Sequence, residues 1–97
     1  MHSSNASLAS PESARLIKRL CAHWSHKFAI DSTAERSLIN LGDSQCRLTG
    51  DDSSLHIQLH CPDPATSSRM QQVVFEHLAR MAKHELAQPI WRDTHVE

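Results

Sequence analysis

Residues Ser54–Cys61 alternate without a break: Leu55, Ile57, Leu59 and Cys61 fall on one side, and His56, Gln58 and His60 on the other. Strict period two predicts a β-strand with one buried face and one wet face. Such a strand belongs to a sheet that is covered on one side, so the rest of the chain must supply the cover. Two helical stripes answer that need. In the run LIKRLCAHWSHKF, Leu16, Ile17, Leu20, Cys21, Trp24 and Phe28 recur at helical spacing. Ser10 as N-cap, Pro11 at N1 and Glu12 in the first turn suit its start, and late positive charge suits an end near His26 or Lys27. The second stripe carries Met70, Val73, Val74, His77, Leu78 and Met81, widened by Phe75, Ala79, Ala82 and Leu86. It predicts a long helix capped by Asp63 or Thr66, running to about Ala87 and stopped by Pro89.

Between the helices the chain reads as strands and tight turns. Ser37–Leu41 and Gln45–Thr49 precede Ser54–Cys61, with turn signals at Gly42-Asp43-Ser44 and Gly50–Ser53. Lys27–Asp31 is an optional fourth strand, followed by a polar turn over Ser32–Arg36. Ile90-Trp91-Arg92 either adds an edge strand or lays Trp91 on the core. The expected fold class is α+β: a two-layer sandwich of helix, three-stranded antiparallel meander (four with the optional strand), helix and short C-terminal strand. Residues 1–9 read as a disordered tail, 10–93 as a single domain and 94–97 as a second tail.

Composition narrows the function classes. A net charge of −1 over 97 residues gives no whole-chain attraction to nucleic acid or membrane. Double-stranded RNA binding, suggested by the element order, wants several cations at the start of the second helix, and Ala65–Arg69 offers one. Two glycines rule out a glycine-rich phosphate loop, and no serine elbow is present. Three cysteines without a CxxC spacing fit a reducing compartment, so the expected location is cytoplasmic. No run approaches the roughly 18 apolar residues of a membrane span. Nothing in the chain requires an enzyme.

The segments ARLIKRLCAHWSHKF, GDSQCRLTGDDSSLHIQL and VVFEHLARMAKHEL, with Trp91 after them, resemble a family of small bacterial proteins known only as a domain of unknown function, number twenty-two eighteen. The likeness spans about Ser13 to Arg92. Leu20–Lys27 and His77–Arg80 are its most specific parts. Members of that family also occur joined to siderophore-interacting flavin reductases, which implies a tie to iron acquisition by association alone. The resemblance carries no catalytic residues.

Eight histidines set the chemistry on offer. His23 and His26 are three apart, with Arg19 and Lys27 flanking His23; His77, Arg80 and His84 make a comparable ridge on the second helix. Should the ridges meet, Arg19, His23, His26, Lys27, His77 and Arg80 would form a surface for a carboxylate, phosphate or catecholate–iron complex. The alternative is two solvated helix faces. His23, His26 and His77 are also the candidate ligands for iron or zinc, although a catalytic zinc needs three ligands and Cys21 lies on another face. His56 and His60 read as exposed histidines on the wet sheet face. Three functions follow: a small binding or accessory module tied to iron–siderophore handling, a metal-dependent enzyme using the helix histidines, or a domain docking a siderophore-interacting reductase. The partner is then that reductase or a small anionic ligand, and the chain a monomer or homodimer.

Overall fold

The computed structural model describes residues 2–33 and 36–95. One six-stranded antiparallel sheet carries two helices on a single face. The strands are β1 (His2–Ala9), β2 (Ile30–Ser32), β3 (Arg36–Leu41), β4 (Ser44–Gly50), β5 (Ser54–Cys61) and β6 (Arg92–His95). The helices are α1 (Ser13–Trp24) and α2 (Pro64–Met81). The strand order is β2-β3-β4-β5-β1-β6. The α+β fold is thus as the alternation and the two stripes require. None of the helices among the described residues is long and apolar enough to cross a membrane.

β5 has the predicted bounds, and its inward residues Leu55, Ile57, Leu59 and Cys61 are essentially inaccessible. They meet Leu16 and Leu20 of α1 and Val74 and Leu78 of α2 in one core. The β3–β4 turn needs a left-handed residue, supplied by Gly42 at φ 75°. α2 is capped as expected at Asp63, whose carboxylate accepts from the Thr66 backbone N–H at 2.7 Å.

The largest departure lies at the N-terminus. His2–Ala9 is not a tail but the strand between β5 and β6, in register with β5 from His2↔Cys61 to Ala9↔Ser54. Its inward face is Ser4, Ala6 and Leu8, so the apolar alternation is masked by small polar residues. Serine is tolerated there because Ser4 Oγ, fully buried, meets Ser67 Oγ of α2 at 3.2 Å. At the other end Thr94 and His95 belong to β6, which starts at Arg92 rather than Ile90. Residues 96 and 97 of the expected second tail, Met1, and residues 34 and 35 of the expected turn lie outside the described residues.

Both helices stop sooner than their apolar stripes suggest. α1 begins at Ser13 with Glu12, not the expected Ser10, at the N-cap position and Pro11 ahead of the helix; Ser10 Oγ accepts from the Glu12 N–H at 3.1 Å in the turn that leads in. It ends at Trp24, whose carbonyl takes both the Lys27 and Phe28 N–H groups and so turns the chain. α2 ends at Met81. Ala82 is extended, and its N–H closes on the Leu78 carbonyl. Leu86 is nevertheless buried, as the stripe demands, but from the irregular segment after the helix.

Candidate functional site

The end of α1 and the middle of α2 enclose a pocket of about 430 Å³. Its apolar lining comes from three elements: Trp24 and Phe28 at the α1 turn, Leu41 at the end of β3, and Met70 and Val73 on α2. Its polar lining is His23, His26, Lys27 and His77. Trp24 is almost fully buried and packs edge-on against Phe28, with ring centroids 6.3 Å apart at 87°. This is a favoured aromatic geometry that fixes one wall.

His77 is the centre of the arrangement. Its ring lies 5.0 Å from the Trp24 ring and 5.2 Å from the His23 ring. Its Nδ1 donates to the Val73 carbonyl at 2.7 Å. A carbonyl only accepts, so in the neutral ring the proton sits on Nδ1 and Nε2 carries the lone pair. His23 is exposed on the last turn of α1. His26 and Lys27 are exposed in the turn beyond the helix, so they reach the pocket through the chain reversal and not along a helical face.

Four of the six residues picked out in the sequence therefore share one pocket. Arg19 and Arg80 do not line it; both are exposed on their helices. His84 leaves the expected ridge altogether, because α2 has ended; its Nδ1 bonds the Glu12 carboxylate at 2.5 Å. Among the described residues no three His, Cys, Asp or Glu side chains gather closely enough to hold a metal ion. Trp91 packs on the core away from this pocket.

Phe28, Leu41, Met70 and Val73 line the pocket although sequence reasoning gave them only places in the core; the place of Leu41 in particular depends on how β3 sits under the helix ends. The histidines of the outer sheet face are also not free in water. His56 Nδ1 is bonded to Ser7 Oγ and His60 Nδ1 to Ser3 Oγ, each at 2.7 Å. The missed strand β1 supplies both serines. A larger depression of about 600 Å³ lies at the β1–β6 edge, lined by Asn5, Ser7, Gln88, Pro89, Ile90 and Arg92. It has no imidazole and one cation, so the α1–α2 pocket holds more of the chemistry.

Fold and pocket together define a small single-sheet α+β protein with a ligand-sized cleft where its two helices meet. The chain belongs to the family described as "Uncharacterized protein conserved in bacteria (DUF2218)", whose model matches residues 5–92. It is similar to the NMR structure of PA4090 from Pseudomonas aeruginosa, with 38% identity and a TM-score of 0.81 over 95% of this chain and 96% of that one. No curated protein matches it.

Proposed function

We propose that this chain is a small ligand-binding module. Its α1–α2 pocket takes a compact ligand with an aromatic or apolar body and an anionic head. The observation that carries the reading is His77, held between His23 and Trp24 beside an apolar lining of Phe28, Leu41, Met70 and Val73. Concave, mainly apolar sites with a few convergent polar groups are where small molecules bind. Lys27 and the imidazoles of His23, His26 and His77 supply the polar groups. Trp24 adds aromatic surface to the lining. Arg19 and Arg80 stand outside the lining, and their part is attraction at a distance, screened beyond about 8–10 Å at physiological salt.

A catecholate or its iron chelate has the chemistry this pocket would accept, and it is the ligand class to which the family resemblance points. Titrating a ferric catecholate siderophore, free catecholate and benzoate against tryptophan fluorescence tests the reading. Saturable quenching that weakens in His77→Ala and Lys27→Ala supports it. No response to any of the three, or an undiminished response in both variants, sinks it.

A further inference from the structure

We propose that His23 and His77 form a two-imidazole site for an exchangeable divalent transition metal, with its remaining coordination positions open to the pocket. The proposal concerns the same pocket but requires no organic ligand in it.

His77 is the anchored ligand. Its Nδ1 donates to the Val73 carbonyl at 2.7 Å, which leaves Nε2 free. Histidines that ligate metals are typically held in this way: the far nitrogen donates to a carbonyl, which fixes the tautomer and ring orientation and raises ligand basicity. His23 is the second ligand, and its exposure on the last turn of α1 leaves its ring free to turn. The spacing suits the task. The ring centroids lie 5.2 Å apart, and metal–nitrogen bonds of about 2.0–2.1 Å let one ion between the rings bond a nitrogen of each once the exposed His23 ring turns toward it.

The ligand count sets the type of site. Since no third His, Cys, Asp or Glu joins them among the described residues, two positions or more go to water or to a bound chelator. A structural zinc site needs four protein ligands, so this metal does not hold the fold together. Imidazole donors select zinc, copper or nickel over magnesium or calcium. His26 lines the same pocket without completing a triad.

Nickel titration into tag-free protein carrying Trp91→Phe tests the site. Trp24 is then the sole tryptophan, with its ring 6.4 Å from His23 and 5.0 Å from His77. A paramagnetic ion held between those rings quenches it. The expected result is saturable quenching by one equivalent, reversed by zinc. His23→Ala and His77→Ala should each weaken it about tenfold or more, equivalent to about 1.4 kcal/mol, while His56→Ala, outside this pocket on the outer sheet face, leaves it nearly unchanged. His23 is exposed, so its replacement leaves the fold intact and makes that variant decisive. Absence of saturable quenching, or full quenching in His23→Ala, overturns the proposal. Nickel alone is the probe, so this failure is separable from failure of the organic-ligand reading.

Discussion

Glu12 and His84 are joined across the molecule: His84 Nδ1 donates to the Glu12 carboxylate at 2.5 Å, between residues 72 apart in sequence. The same carboxylate accepts from the Lys83 backbone N–H at 3.2 Å and from Arg15. Arg15 in turn donates to the carbonyl of Met81, the last residue of α2, at 2.9 Å. One acidic side chain at the start of α1 therefore organises the end of α2. It explains why α2 stops at Met81 although its apolar stripe continues.

Glu12→Ala should accordingly destabilise the protein by about 1.5–3 kcal/mol, the range for hydrogen bonds to charged groups. Each kcal/mol is worth roughly 4–8 °C in Tm for a domain of this size. Thermal unfolding followed by circular dichroism measures it. A loss no greater than that of a surface substitution would mean that the cluster forms without tying the helices together.

Deleting residues 1–9 should abolish cooperative unfolding. β1 lies between β5 and β6, its Leu8 is in the core, and its removal exposes the edge of β5. A truncated chain that melts as sharply as the full one would show that β1 is dispensable.

That strand also marks where sequence reasoning stopped. Ser54–Cys61 was legible because its inward residues, Leu55, Ile57, Leu59 and Cys61, are all apolar. His2–Ala9 was not, because Ser4 faces the core and is satisfied by Ser67, a contact 63 residues away that no local pattern announces. Strand propensity is mostly fit to neighbours, so a strand built from serine and alanine is identified only by its partners. The site was legible to a different degree. His23, His26, Lys27 and His77 were picked out by helical spacing and do share a pocket, but His26 and Lys27 lie past the end of α1 and reach it through the turn. Arg19 and Arg80 obeyed the same spacing on faces that point elsewhere, since periodicity gives a face but not which part of it meets the other helix.

Gly50→Ala should destabilise the fold by about 1–3 kcal/mol, the usual cost of overpacking. A Cβ at Gly50 would lie 2.7 Å from Ser13 Oγ and 2.8 Å from Ser13 Cβ. Ser13 cannot move aside without losing its bond to the Asp51 carbonyl at 2.6 Å. The double variant Gly50→Ala/Ser13→Gly should lose less than the sum of the two single variants, which denaturant titration of all four proteins would reveal. Strict additivity would place the strain elsewhere.

Acid should expose two carboxylates. The Thr66 N–H holds Asp63 below the ordinary carboxylate value of 3.8, and the Ser53 and Ser54 N–H groups do the same for Asp51. A depressed folded pKa means that the unfolded chain binds more protons. Its stabilising effect is present above the unfolded value and is lost as pH falls through the folded one. Replacing both with asparagine should lower Tm near neutrality and flatten its decline below pH 3.8. An unchanged acid limb would assign acid unfolding to other groups.

The cysteines give a prediction of opposite sign. Burial first, and then the neighbouring Cys21 and Cys61 thiols, push Cys46 from 9.0 up to about 12. Its thiolate is therefore absent from the native state near neutral pH, and the thiolate is the reactive form. Cys61 is likewise sealed in the core, whereas Cys21 is half-buried at the wall of a groove beside α1. A disulfide reagent should label native protein once, at Cys21, and denatured protein three times, to match the three cysteines of the chain. The raised pKa also fixes the alkaline behaviour. Below pH 9.0 the stabilisation is complete; above it the unfolded chain sheds a proton that the folded chain retains, and stability falls until about pH 12. Cys46→Ala should lower stability near neutrality, because it leaves a cavity in the core, but it should also flatten that alkaline decline. Equal slopes in the variant and the parent would show that Cys46 ionisation does not set the alkaline limit.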